Sequence, residues 1–113
     1  MKKLLLVTLL AILPILSFAK APDCHSWPMK MSEVWLQNAG IVAIENLNEP
    51  KTKITLLASE KKAKGLYTQI YHFIFYDSIG NSYETITNND ASYEECSMSG
   101  VDVYLIPRSV SYK

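Results

Sequence analysis

The chain has 113 residues, with 11 basic residues against 11 acidic ones and a hydrophobic share of 49%. A balanced charge without a basic face gives nucleic acid no electrostatic footprint, and the length leaves room for one domain core but not two. Two cysteines cannot form the paired, short-spaced motifs of structural zinc sites.

The chain opens with an export pattern. Lys2 and Lys3 precede an apolar run from Leu4 to Phe18 broken only by Thr8 and Ser17, and Ser17-Phe18-Ala19 places small residues at both recognition positions of a cleavage site. Cleavage is expected after Ala19, with Ala21 as second choice, so that 1–19 is a secretory signal peptide and 20–113 a single α+β domain. The apolar run, about 15 residues, falls short of the ~20 that span a bilayer. The mature chain is therefore expected in the periplasm or outside the cell, with no membrane attachment after cleavage. Loss of Lys2 and Lys3 leaves nine basic residues against eleven acidic, a net charge of −2.

Ser26 is positioned to cap a helix with Pro28 at its second position, and Trp27, Met31, Val34, Trp35 and Asn38 recur on one side at the 3.6-residue period. That stripe predicts the face docked on a sheet. Asn38-Ala39-Gly40 ends the helix, Gly40 being free to turn left-handed. The period then changes to two. Ile41 to Glu45 reads as a short strand, Asn46 to Pro50 as a loop, and Lys53 to Lys61 as a strand alternating Ile54, Leu56 and Ala58 against Thr55, Leu57 and Ser59. Lys61, Lys62 and Lys64 mark a solvated hairpin end.

Leu66 to Tyr76 is long and rich in β-branched and aromatic residues, which predicts the central strand. Leu66, Ile70, His72 and Ile74 share one face, and Tyr67, Tyr71, Phe73 and Phe75 the other. Asp77 to Asn81 has hairpin composition, Ser82 to Thr87 returns, and Val101 to Ile106 is the last strand, stopped by Pro107. In the intervening segment, Ser92 with Glu95 three residues on reads as a capping box starting one helical turn. A calcium loop from Asp90, Glu94 and Glu95 lacks the alternating acids and central glycine that such loops need. The predicted architecture is an N-terminal helix on an antiparallel, four- to five-stranded, curved sheet.

Cys24 and Cys96 stand near the two ends of this domain. Zinc held by Cys24, His25, Cys96 and His72 would require adjacent residues to ligate one ion, and no oxyanion-hole pattern accompanies either cysteine as a nucleophile. In an exported chain, a Cys24–Cys96 disulfide closing about 70 residues is the economical expectation. No cofactor or metal is expected. His72, in register with Ile70 and Ile74, reads as a core histidine with a hydrogen-bond partner.

No nucleophile elbow, phosphate loop or carboxylate pair of catalytic spacing appears, so an enzyme is the weaker class. The preferred expectation is an exported protein-binding module, organised in size, export and cross-linking like small inhibitors and periplasmic immunity proteins. Tyr93, Glu94 and Glu95 are the candidate partner-binding residues, on a turn held by Cys96. The alternative is a small-ligand carrier or cone-shaped α+β enzyme with an aromatic pocket around His72.

Overall fold

The computed structural model describes residues 21–107, so the expected signal sequence lies outside the described residues. One helix, α1 (Ser26–Asn38), covers a four-stranded antiparallel sheet, β1 (Lys53–Ala63), β2 (Leu66–Tyr76), β3 (Ser82–Ala91) and β4 (Asp102–Ile106). The strands lie in chain order, β1-β2-β3-β4, and the sheet is open. A disulfide joins Cys24 to Cys96.

Helix α1 starts at Ser26, with His25 as a cap residue that makes no side-chain cap bond. The expected Ser26 cap is thus corrected: Ser26 is already helical, and Pro28 falls in the first turn, where its missing N–H has no intrahelical acceptor to lose. The stop is as read. The Gly40 N–H donates to the Gln37 carbonyl and the Ile41 N–H to the Leu36 carbonyl, both at 3.0 Å, with Gly40 at φ 74°. These are the two bonds of a Schellman closure, which requires the left-handed residue.

The buried face of α1 consists of Pro28, Met29, Ser32, Glu33 and Leu36, not the expected stripe. The reason lies in the sheet. β2 turns Tyr71, Phe73 and Phe75 toward the helix, stacked with centroids 5.7 and 5.8 Å apart, and these rings with Met29 and Leu36 form the core. The neighbouring inner row of β3 is polar: Thr85, Thr87 and Asn89. A buried hydroxyl needs a partner, and Ser32 Oγ meets Thr85 Oγ1 at 3.0 Å. The helix therefore sits with Ser32 over β3, and Trp35 packs only partly against the core.

Ile41 to Glu45 forms no strand; residues Ile44–Asn46 make a 3-10 turn. The Ile44 N–H donates to Gln37 Oε1 at 2.9 Å, so a helix side chain takes the amide that a sheet ladder would have used. In β1 the pairing with β2 shifts between Leu56 and Ala58 and again between Lys61 and Ala63. The first shift, a bulge, moves Ala58 to the face opposite Ile54 and Leu56, which breaks the predicted alternation. The β1–β2 turn at Lys64-Gly65 is the expected lysine-rich hairpin end, with Gly65 at φ 72°.

Candidate functional site

The turn predicted to bind a partner is pinned rather than helical. The Glu95 N–H donates to Ser92 Oγ at 3.0 Å, and the Ser92 N–H to the Glu95 carbonyl at 2.8 Å. This is half of a capping box. The Glu95 carboxylate does not reach back; it accepts from Ser97 Oγ at 3.4 Å, and no helical turn follows. The loop is fastened to β3 by Asp90 N–H donating to Ser99 Oγ (2.8 Å) and by Asn89 Nδ2 donating to the Cys96 carbonyl (3.4 Å). Trp27 Nε1 donates to the Ser99 carbonyl at 3.4 Å and ties the same loop to α1. Tyr93 is 58% exposed and meets Tyr67 edge-on at 5.8 Å, while Glu94 and Glu95 face solvent.

Both cysteines are consumed by the cross-link, so neither thiol can ligate a metal or attack a substrate. The segment before α1 is held down beside it. Cys24 N–H donates to the Tyr71 hydroxyl (3.2 Å), and Gln69 Nε2 to the Pro22 carbonyl (2.8 Å) and Ser59 Oγ (3.1 Å). His25 is engaged by Asp23 at 2.7 Å, an interaction that holds the Asp23 carboxyl below its ordinary range.

His72 does not lie in the core. The parity of β2 puts it on the sheet face away from α1, half-buried, with Nε2 3.1 Å from Glu84 Oε1 on β3. The two residues sit in successive rows of the β2–β3 ladder: His72 is opposite Ile86, and Ile74 opposite Glu84. The histidine has the expected hydrogen-bond partner. Its setting is a solvent-facing sheet surface, however, and the space between helix and sheet is filled by the aromatic side chains of β2.

The stripe left out of the core lines a groove. Met31, Val34, Trp35 and Asn38 form one wall, and Val101, Asp102, Val103 and Tyr104 the other, enclosing about 400 Å³ between α1 and β4. Val34 is 37% exposed there. Among the described residues strand β4 pairs only with β3, and its other backbone edge borders the groove. Asp102 is the single charged group in the lining.

A larger depression of about 620 Å³ lies under the C-terminal end of α1, between Gln37, Gly40 to Ala43, Asn46, Asp77 to Ile79 and Tyr83. Its carboxylate is already used. Asp77 accepts from the Ile79 and Asn81 amides, from Asn81 Nδ2 and from the Tyr83 hydroxyl, at 2.9 to 3.1 Å. Desolvation opposes ionisation there, but these bonds outweigh it and keep the carboxyl below its ordinary pKa. Asp77 organises the hairpin.

One ionisable cluster escaped the sequence reading. Glu33 is 1% exposed, and Glu49, 16 residues on in the 3-10 turn before β1, approaches it. Lys30 Nζ lies 3.0 Å from Glu49 Oε2 and 3.9 Å from Glu33 Oε1. Burial, then the hydrogen bond and charge of Glu49, push the Glu33 carboxyl up to about 7. Glu49 moves the other way, lowered first by that same bond and then by Lys30. A protonated Glu33 carboxyl is placed to donate to the Glu49 carboxylate. No sequence signal marks it, because the two glutamates meet only when α1 docks.

Among the described residues no three His, Cys, Asp or Glu side chains converge as a metal site, and no helix is long and apolar enough to cross a membrane. No family model, curated protein or solved structure matches the chain.

Proposed function

We propose that the protein is a small exported protein-binding module that works in the periplasm or outside the cell and receives an apolar segment of its partner in the groove between α1 and β4. The observation that carries this reading is the rotation of α1: Met31 and Val34 line an open groove instead of the core, and Trp35 borders both. A domain of this size gains most from burying such side chains inside itself, so leaving them at the surface fits a site built for a partner. The unpaired edge of β4 adds backbone donors and acceptors beside the same groove, an arrangement through which extended segments add to a sheet. The disulfide supports the compartment, since such bonds persist where thiols are not kept reduced. The pinned loop carrying Tyr93, Glu94 and Glu95 runs into the groove wall at Val101, and in this reading it forms the polar rim.

A photo-crosslinking residue at Val34 tests the proposal, with one at Lys64 in the exposed β1–β2 turn as control. Extract from the exported fraction should give discrete adducts from position 34 and none beyond background from 64. Val34→Asp should weaken retention of the adducted protein about tenfold or more with an unchanged melting temperature. Equal labelling from positions 34 and 64, or undiminished retention by Val34→Asp, would remove the groove as the site.

A further inference from the structure

Strand β4 has the sequence DVYLI and pairs with β3 through Asp102 opposite Asn88, Val103 opposite Thr87 and Tyr104 opposite Ile86. Thr87 belongs to the buried inner row of the sheet. The alternation of a strand therefore turns Val103, and Val101 before it, to the side of α1, and turns Asp102 and Tyr104 to the other face. All four border the groove, because the backbone edge of β4 runs along it. A chain laid on that edge would present its own side chains in the same alternation. Those opposite Val101 and Val103 enter the space lined by Met31, Val34 and Trp35, and the one between them stands beside Asp102.

The charge at this intermediate position is uncompensated. Asp102 is exposed and takes part in no ion pair among the described residues. Lys62, which shares a second depression with it, is held by Asp90 at 3.0 Å. Neither β3 nor β4 contains a lysine or arginine, and Lys30 of α1 is taken by Glu49, 3.0 Å away. Tyr104, on the same face as Asp102 and 57% exposed, offers its ring to a cation placed there.

We infer that the groove takes an extended segment of another protein, added to β4 as a fifth strand, with apolar side chains opposite Val101 and Val103 and a lysine or arginine between them against Asp102. This rests on the groove being the partner site and adds the chemistry of what fills it. Backbone pairing along an edge attaches a strand whatever its sequence, and the pockets for alternate side chains make the choice. Here the inward pockets are apolar and the outward one is anionic. A second copy does not meet the requirement, since its own β4 brings Asp102 and no base to the edge. A helical segment cannot pair with that edge, because its backbone donors and acceptors are used internally.

Three short, end-labelled peptides test this by fluorescence anisotropy. They alternate Val and Thr, read alike in both directions, and carry Lys, Thr or Glu at the centre. The Lys peptide should bind the mature protein about threefold tighter than the Thr peptide and about tenfold tighter than the Glu peptide at low ionic strength, the range of an exposed charge pair. Asp102→Lys should reverse the order while leaving the Thr peptide unaffected, and Val34→Asn, which adds no charge, should weaken all three about tenfold or more. Circular dichroism confirms that both variants are folded. No binding by any peptide, equal affinity for all three, or the same order in Asp102→Lys overturns the inference. So does undiminished binding to Val34→Asn, or a dimer in sedimentation that Val34→Asn abolishes, which would give the groove to a second copy. Failure of the groove itself is separate: adducts from a crosslinker at position 34 without a peptide preference remove only the basic, extended occupant, whereas absence of those adducts removes the site.

Discussion

Glu33 makes the stability of this domain fall as the pH rises toward neutrality. Its carboxyl, ordinarily at 4.5, is raised to about 7 by burial first and by Glu49 second. A native state that holds a proton more tightly than the unfolded chain gains stability fully present below 4.5 and lost as the pH climbs through about 7. Glu49 acts with the opposite sign, since its lowered pKa contributes stability above 4.5 that disappears in acid. Stability should therefore decline from about pH 5 to about pH 7.5 and level off above it. At 1.36 kcal/mol per tenfold, the full interval for Glu33 corresponds to about 3 kcal/mol. Solvent reaches the pair through Lys30 and Glu49, whose side chains are 57% and 43% exposed, and this screening reduces the expected loss to roughly 1 to 2 kcal/mol.

Urea unfolding at half-unit pH steps measures the loss, and Glu33→Gln isolates it. The amide keeps a donor for Glu49 and cannot ionise, so the variant should lose the part of the slope that Glu33 contributes and exceed the wild type above about pH 7.5. A wild-type curve that rises between about pH 5 and 7.5, or a Glu33→Gln protein that retains the full decline, would refute the coupling of Glu33 to Glu49.

Replacing Cys24 or Cys96 with serine should destabilise the mature protein by about 4 kcal/mol in the chain-entropy relation, given the 72-residue separation; the double replacement should cost little more than either single one, which calorimetry of the three variants checks. His72→Ala should lower stability by less than about 1 kcal/mol, because the histidine is a half-exposed surface pair with Glu84 rather than a core residue. Tyr93→Ala, by contrast, should leave melting unchanged and weaken partner binding several-fold if the loop forms the rim of the groove; the two properties measured on both variants separate a binding role from a structural one.

What was legible in the sequence was local. β2 was bounded correctly because its β-branched and aromatic run has no competing period, and the Asp77–Asn81 hairpin and the Gly40 stop each depend on residues within a few positions. The disulfide followed from cysteine count and the export pattern together. The rotation of α1 was not legible, because it is decided across the sheet: Thr85 needs Ser32, 53 residues away. Nothing near Trp27, Met31, Val34 and Trp35 announces that a polar β3 row will claim the other side. The carboxyl pair was hidden for the same reason, as Glu49 lies in a turn whose position depends on where α1 docks. In β1 the bulge after Leu56 defeated period-two reading, which assumes one unbroken register.

The cross-link and the groove are energetically related. Full burial of a Val or Met side chain contributes about 1.5 to 3 kcal/mol, so turning Met31 and Val34 outward forgoes several kcal/mol that a domain with few core side chains can ill spare. The inner row of Thr87, Asn89 and Gln69 adds to the deficit, since acceptor atoms of all three are buried without a protein partner. The Cys24–Cys96 bond contributes about 4 kcal/mol without burying apolar surface, which is the same order as the forgone burial. It also acts where the polar row lies, fastening Pro22 and Cys24 over Gln69 and Tyr71. A domain stabilised in this way can keep an apolar stripe at its surface, and a reduced protein should lose that ability first at the end of the sheet where the cross-link sits.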